Sequence, residues 1–381
     1  MSDKIDYQAE GLFDGVVDEQ GRIARKRLLD YLTQEEEISL EEVKQAAAEN
    51  RLLLLPIERA LGGEPKYTAQ EIADRAGVDV KLFLELRGSL GLAEPPMDQP
   101  IFSEYDIGTM RAVQKNIELG LPLEGIREIN RVLGATMSQL AASVERIFLT
   151  TFFEPEGDEK DIAARYGDIA RITSPEFGFI LQHTFNLHLR EQTRLDVLGN
   201  IETFDPLSDT RELAICFADL VGFTSLGEQI RADELGAIAE RLNEVAVALV
   251  HPPVRLVKTI GDAVMLISSE PDALIDLALE MVRIVDDEGE GFPRLSVGIE
   301  LGEALVRGGD VYGPPVNHAS RFCDVARPGS VVTSKSIKER YADNYDWTDI
   351  GRRRFKGIDK PLELVRVRAK GERSKERRAR S

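Results

Sequence analysis

Cys216-Phe-Ala-Asp219-Leu220-Val-Gly222-Phe223-Thr224-Ser-Leu226 is the stretch around which the chain is organised. The apolar run Leu213 to Ala218 reads as a strand. It ends on a carboxylate, Asp219, and Gly222 follows in a tight bend. A helical pattern starts near Glu228. A bend exposes main-chain groups, and a helix start presents N–H donors without partners. Such a corner can hold a divalent cation on the carboxylate and a phosphate chain on the backbone. Taken alone, the stretch fits a buried strand ending in an acidic turn equally well.

A second carboxylate shifts the reading. Val254 to Thr259 alternates like a strand, Gly261-Asp262 makes a turn, and Ala263 to Ile267 runs back as an apolar strand. Two strand-end aspartates, Asp219 and Asp262, can share one or two hard cations. Mg²⁺ suits carboxylate oxygens and substrate phosphates. A two-metal arrangement can activate an attacking oxygen and neutralise a leaving one.

Three separated segments then occur in order: Phe217-Ala-Asp219-Leu-Val-Gly222-Phe223-Thr224, Lys258-Thr-Ile-Gly-Asp262 and Asp310-Val-Tyr-Gly313-Pro-Pro-Val-Asn317-His-Ala-Ser-Arg321. Together they resemble the catalytic domain of the class III nucleotide cyclases, over residues 207–368. The resemblance implies that Asp219 and Asp262 bind Mg²⁺ or Mn²⁺, with Leu220 lending a backbone carbonyl. It implies that Gly222, Phe223 and Thr224 wrap the triphosphate with backbone amides. Lys258 and Asp310 fall at the positions that read adenine in adenylyl cyclases of the family. Guanylyl cyclases carry a glutamate and usually a cysteine there, so the implied substrate is ATP and the products are 3′,5′-cyclic AMP and pyrophosphate. Asn317 and Arg321 lie four apart on one helix face. By residue type alone they could be a helix-start residue and a surface charge. In the family the asparagine orients the ribose and the arginine stabilises the pentacoordinate phosphorus. Lys356-Gly357 resembles the family's lysine at the terminal phosphates, although Arg352, Arg353 and Arg354 crowd the same place. The family draws its metal aspartates from one subunit, and its base-reading pair and Asn/Arg pair from the other. Both halves occur once here, so the resemblance implies a homodimer with two active sites shared between subunits.

The totals bound the rest. The chain has 381 residues and a net charge of −19, which argues against general nucleic-acid binding. Its two cysteines, Cys216 and Cys323, read as free core thiols and exclude a cysteine-based zinc site. The polar start and the absence of a long apolar run predict no signal peptide, no stable membrane insertion and a cytoplasmic protein.

Before Leu213 the pattern is helical throughout. Helices are expected over residues 22–33, 39–50, 52–60, 80–90, 135–153, 162–172 and 177–197, with Thr68 capping another. The segment 66–92 has helix-turn-helix periodicity and faintly resembles the DNA-binding domain of MerR-like regulators. Only Lys81 and Arg87 are basic in its second helix, so it reads as scaffold, while a regulatory module without catalysis stays the rival reading. From Leu213 strands and helices alternate in a β-α-β-β-α-β order, with strands also expected at 355–358 and 362–367. The expectation is therefore an α+β chain: an all-helical regulatory domain with its connector helix at 1–200, a ferredoxin-like cyclase domain at 207–368, and a basic tail at 369–381. The overall resemblance, N-terminal half included, is to a mycobacterial soluble type of cyclase that is autoinhibited and responds to pH. His183 and His188, on the helix entering the catalytic segment, are two groups whose charge changes near neutral pH.

Overall fold

Among the described residues helices run as far as Leu198, and the strands begin at Thr210. The structure is a computed structural model that describes residues 5–152, 157–198, 210–289 and 291–371. Two compact units divide it, Met1–Leu189 and Arg190–Ser381.

In the first unit, side-chain caps start the helices. Asp18 accepts from Gly21 N–H at 2.6 Å to open α1 (Glu19–Asp30), which runs into a π-helical turn at Tyr31–Glu35. Ser39 caps α2 (Leu40–Ala48), and Pro56 sits in the first turn of α3 (Leu55–Gly62). A capping box between Thr68 and Glu71 opens α4 (Ala69–Ala76). Gly77, at φ +73°, turns the chain into α5 (Val80–Ser89). A second capping box, Ser103 with Asp106, opens α6 (Glu104–Glu118). Two long helices follow, α7 (Leu123–Phe152) and α8 (Glu159–Leu198). Apolar stripes make two cores. One joins Leu28, Leu32 and Leu55 to Ala163 of α8, and the other gathers Ile72, Phe83, Phe102 and Ile107. Arg25 donates to both oxygens of Glu159, at 2.8 and 3.0 Å, tying the start of α8 to α1.

Two helix expectations change. Residues 162–172 and 177–197 form one continuous helix, α8, that passes through Pro175. Proline removes one ladder hydrogen bond, but the helical turns on both sides carry the helix past it. The helix expected at 135–153 starts earlier, at Leu123.

The described residues of the second unit form one eight-stranded sheet with helices packed on it. Its strands are β1 (Thr210–Leu220), β2 (Arg255–Ile260), β3 (Ala263–Ser268), β4 (Leu295–Arg307), β5 (Asp310–Tyr312), β6 (Ser330–Ser334), β7 (Asp346–Arg353) and β8 (Leu362–Arg368). The order is β2-β3-β1-β4-β6-β8-β7, with β5 paired to the end of β4. The helices are α9 (Phe223–Leu226), α10 (Ala232–Leu249), α11 (Pro271–Asp287), α12 (Pro314–Val325) and α13 (Lys335–Arg340). Alternation along β1 sorts the two faces. Cys216, Ala218 and Leu220 pack with Leu242 of α10 and with Leu274, Ala278 and Met281 of α11. Leu213, Ile215 and, partly buried, Phe217 face the opposite way, with Met265, Ile267 and Ala319 of α12. Gly298 on β4 makes that second contact possible: a Cβ there would lie 2.1 Å from the Ala319 carbonyl oxygen.

The helix expected from Glu228 begins at Ala232, after the short α9. Residues 355–358 form no strand; Phe355 is apolar because it packs on Phe322, with ring centroids 6.0 Å apart. The strand that pairs with β8 is β7. It is a polar edge strand, and charged side chains on such an edge hide the period-2 signal.

Candidate active site

β1 and the β2–β3 hairpin set the first cluster. Asp219 stands opposite Ala263, the residue after Asp262, and the Leu220 N–H donates to the Asp262 carbonyl at 3.2 Å. The two carboxylates therefore meet at one corner. Burial pushes the Asp219 carboxyl up to about 6, and the Asp262 charge pushes it the same way, while a hydrogen bond from the Leu220 backbone opposes both. Gly222 follows at φ +77°, a left-handed conformation that a side chain resists, and it opens α9. Phe223 and Thr224 occupy the first turn of α9, where helix geometry leaves amides without intrahelical acceptors. Beside them Val221, Gly222, Ser225, Gln229, Phe292 and Pro293 line a cavity of 290 Å³.

A second pair lies on the same face of the sheet. Lys258, Met265, Phe217 and Gly298 are directly opposed across β2, β3, β1 and β4. Opposed residues in antiparallel strands share a face, and Asp219, two residues on from Phe217, shares it too. Lys258 Nζ donates to Asp310 Oδ2 at 2.5 Å, and Asp310 Oδ1 accepts from Val311 N–H at 2.8 Å. A bulge between Leu256 and Lys258 interrupts the register of β2 just before the lysine.

Helix α12 sets the third pair. Pro314 starts it after Gly313, and Ala319 and Phe322 face the sheet, both fully buried. Asn317 and Arg321 are consequently on its exposed side. Arg321 Nη1 donates to Asp324 Oδ2 at 3.0 Å. Lys356 is exposed in the turn between β7 and β8. Thus the fold joins Asp219, Leu220 and Asp262 into one group and Lys258 with Asp310 into another. Among the described residues no hydrogen bond or ion pair links these groups to each other or to Asn317, Arg321 and Lys356. His183 and His188 are exposed on α8, where the His183 ring stacks on Phe179.

The comparisons with known proteins match this division. Residues 5–193 match the adenylate cyclase regulatory domain, and residues 206–367 match the adenylate and guanylate cyclase catalytic domain. The chain is 35% identical to the pH-sensitive adenylate cyclase MT1302 of Mycobacterium tuberculosis, over 97% of its own length and 94% of that protein. This chain belongs to the class III adenylate cyclases. An adenylate cyclase of Streptomyces coelicolor is 30% identical over 73% of the chain and 72% of its own length. Rv2212 of Mycobacterium tuberculosis, an uncharacterised protein, is 29% identical over 95% of the chain and 94% of its own length.

Members of this family need divalent metal ions and bind ATP, with dimeric catalytic domains typical. The corner at Asp219 fits a cation. Two carboxylates of like charge stand together with one of them half-buried, and a cation beside them would remove the repulsion that raises Asp219. No group of three or more histidine, cysteine, aspartate or glutamate residues is arranged for a metal among the described residues. Two carboxylates and a carbonyl are a hard, incomplete oxygen set, of the kind that substrate phosphates and water complete. Asp324 escaped the sequence reading. It holds Arg321 and adds its charge to those acting on Asp219. The i, i+3 spacing of an arginine and an aspartate on a helix was the available signal. Both cysteines of the cyclase are free, and burial pushes both thiols up, away from reactivity. No helix among the described residues is long and apolar enough to cross a membrane.

Proposed function

We propose that this cyclase forms 3′,5′-cyclic AMP and pyrophosphate from ATP, with Mg²⁺ or Mn²⁺ bound, at two sites shared between the subunits of a homodimer. The observation that carries the reading is that Asp219 and Lys258 share one face of one sheet while each oppositely charged pair is satisfied within itself. Among the described residues the carboxylate corner makes no hydrogen bond or ion pair with Lys258, Asp310, Asn317 or Arg321, while Lys258 and Asp310 bond each other and Arg321 bonds Asp324. A second copy facing this sheet would bring the missing half to each corner.

In such a site Asp219, Asp262 and the Leu220 carbonyl hold the ions. When bound, the ions supply Lewis-acid stabilisation of the ribose 3′-oxygen and of the departing pyrophosphate. The backbone amides of Gly222, Phe223 and Thr224 take the triphosphate, and Lys356 meets its terminal phosphates. Lys258 donates to adenine and Asp310 accepts from it; in the free protein they satisfy each other. Adenine that displaces this contact must offer both an acceptor and a donor, so a base lacking either leaves a polar group unpaired. Asn317 orients the ribose. Arg321 gives up Asp324 for the phosphoryl oxygens, where a forked cation meets charge that grows in the transition state. The N-terminal unit restrains the activity. The match to a relative named as pH-sensitive, nearly end to end, supports protons as its input, with His183 and His188 as two of the groups to test.

The purified protein, incubated with Mg²⁺ or Mn²⁺, should convert ATP to cyclic AMP and pyrophosphate and should prefer ATP to GTP. No cyclic product with either metal across pH 5 to 8 would overturn the reading. Cyclic GMP as the main product would overturn the assignment of Lys258 and Asp310.

A further inference from the structure

We propose that Glu300 and His318 form a positioning pair that seats helix α12 on the sheet and thereby aims Asn317 and Arg321 at the reacting phosphoryl group. The inference rests on the roles given above to those two residues. Glu300 lies on β4 and is only 6% exposed. A carboxylate so buried is costly unless other groups satisfy it. Its Oε1 accepts from the Ser334 hydroxyl at 2.6 Å and from the Leu301 N–H at 2.9 Å. Its Oε2 faces His318 Nδ1 at 3.7 Å.

The place of the pair gives it leverage. Glu300 is two residues on from Gly298, so it points to the face on which α12 packs. His318 follows Asn317 directly and precedes Arg321 by three residues. A shift of α12 at His318 therefore displaces both residues that meet the substrate. Against the start of the helix an open cleft of 610 Å³ has a mixed lining, with Glu300, His318 and Lys335 beside Leu301, Pro315 and Leu362. Pro315 of α12 packs on Gly302 beside this cleft, and one turn on Glu300 approaches His318 from the strand. Lys335 donates to Glu363 at 2.9 Å, and Arg352 donates to the same carboxylate at 2.7 Å. Their charges are thus engaged with each other. The His318 ring stacks on the buried Phe322 of the same helix, with centroids 6.3 Å apart.

The test uses the full-length protein and three variants, Glu300→Gln, His318→Gln and the double. Glutamine at 300 keeps an acceptor for Ser334 and Leu301 while removing the charge. Each single variant should lower kcat about tenfold, with KM for ATP within about twofold and the preference for ATP over GTP unchanged. The double should be no slower than the slower single, because each loss already breaks the same contact. Unchanged kcat in both single variants, or losses that multiply in the double, would overturn the pair. So would a fall in kcat accompanied by an equal rise in KM. If Glu300→Gln fails to fold, His318→Gln decides alone, since its site is partly exposed. Asn317→Ala and Arg321→Ala are measured alongside. Full kcat in those would remove the reading on which the pair rests, whereas their loss beside intact Glu300 and His318 variants overturns only the pair.

Discussion

At Asp219 the folded protein holds a carboxylate under tension. Its folded value, about 6, lies well above that of an unfolded aspartate, because burial and Asp262 both disfavour the charge. The sign follows from linkage. The folded state binds the extra proton, so this group's contribution is fully present below about pH 4 and is lost as pH rises through about 6. Above that, the metal-free protein carries a penalty of about 1 kcal/mol, discounted for the half-exposed position. Asp219→Asn should therefore melt a few degrees above the parent at pH 7.5 without metal, and the difference should vanish near pH 4. Added Mg²⁺ or Mn²⁺ should stabilise the parent and leave the variant unmoved. Equal melting of the two proteins at pH 7.5 would contradict the like-charge account. Much of this residue chemistry is legible in the sequence. Asp219 closes an apolar strand and Asp262 sits in a glycine turn, and both patterns are local. That the two carboxylates touch depends on strand pairing across more than forty residues, which no local pattern carries.

Among the elements, α12 matters most, since it carries Asn317 and Arg321 and rests on Gly298. A Cβ at 298 would meet the Ala319 carbonyl oxygen, the Cys323 nitrogen and the Phe322 carbonyl carbon, all backbone atoms that cannot swing aside. Gly298→Ala should cost about 2–3 kcal/mol, lowering the melting temperature and removing cyclase activity together. A variant with parental melting and parental turnover would show that α12 can sit elsewhere. The hairpin of β2 and β3 and the helix after Pro314 were readable because turn glycines and helix-starting prolines mark them. Two elements were not. β7 alternates poorly, since most of its side chains are polar and one face is open to water, so its pairing with β8 was hidden. Pro175 reads as a break because proline usually ends a helix, but here the turns on either side outlast one missing hydrogen bond. The register between β1 and β4 also lies beyond local pattern, because Gly298 looks like any strand glycine until the helix above it is seen.

At the scale of the whole molecule a helical regulatory unit precedes a class III cyclase domain, and the proposed shared sites require a second copy of the chain. If the N-terminal unit restrains catalysis, a protein starting at residue 205 should be more active than the full chain and should have a differently shaped pH profile. Profiles of the same height and shape would mean that the first unit is neither brake nor proton sensor. The proposed active site is shared between two subunits. It is tested by mixing two inactive chains, one carrying Asp219→Ala and the other Arg321→Ala. In a mixed dimer one site collects both defects and the other collects neither. An equal mixture that exchanges freely should regain about a quarter of the parental activity, since half the dimers are mixed and each holds one intact site. No regain of cyclic AMP formation, with mixed dimers shown to be present, would contradict the account.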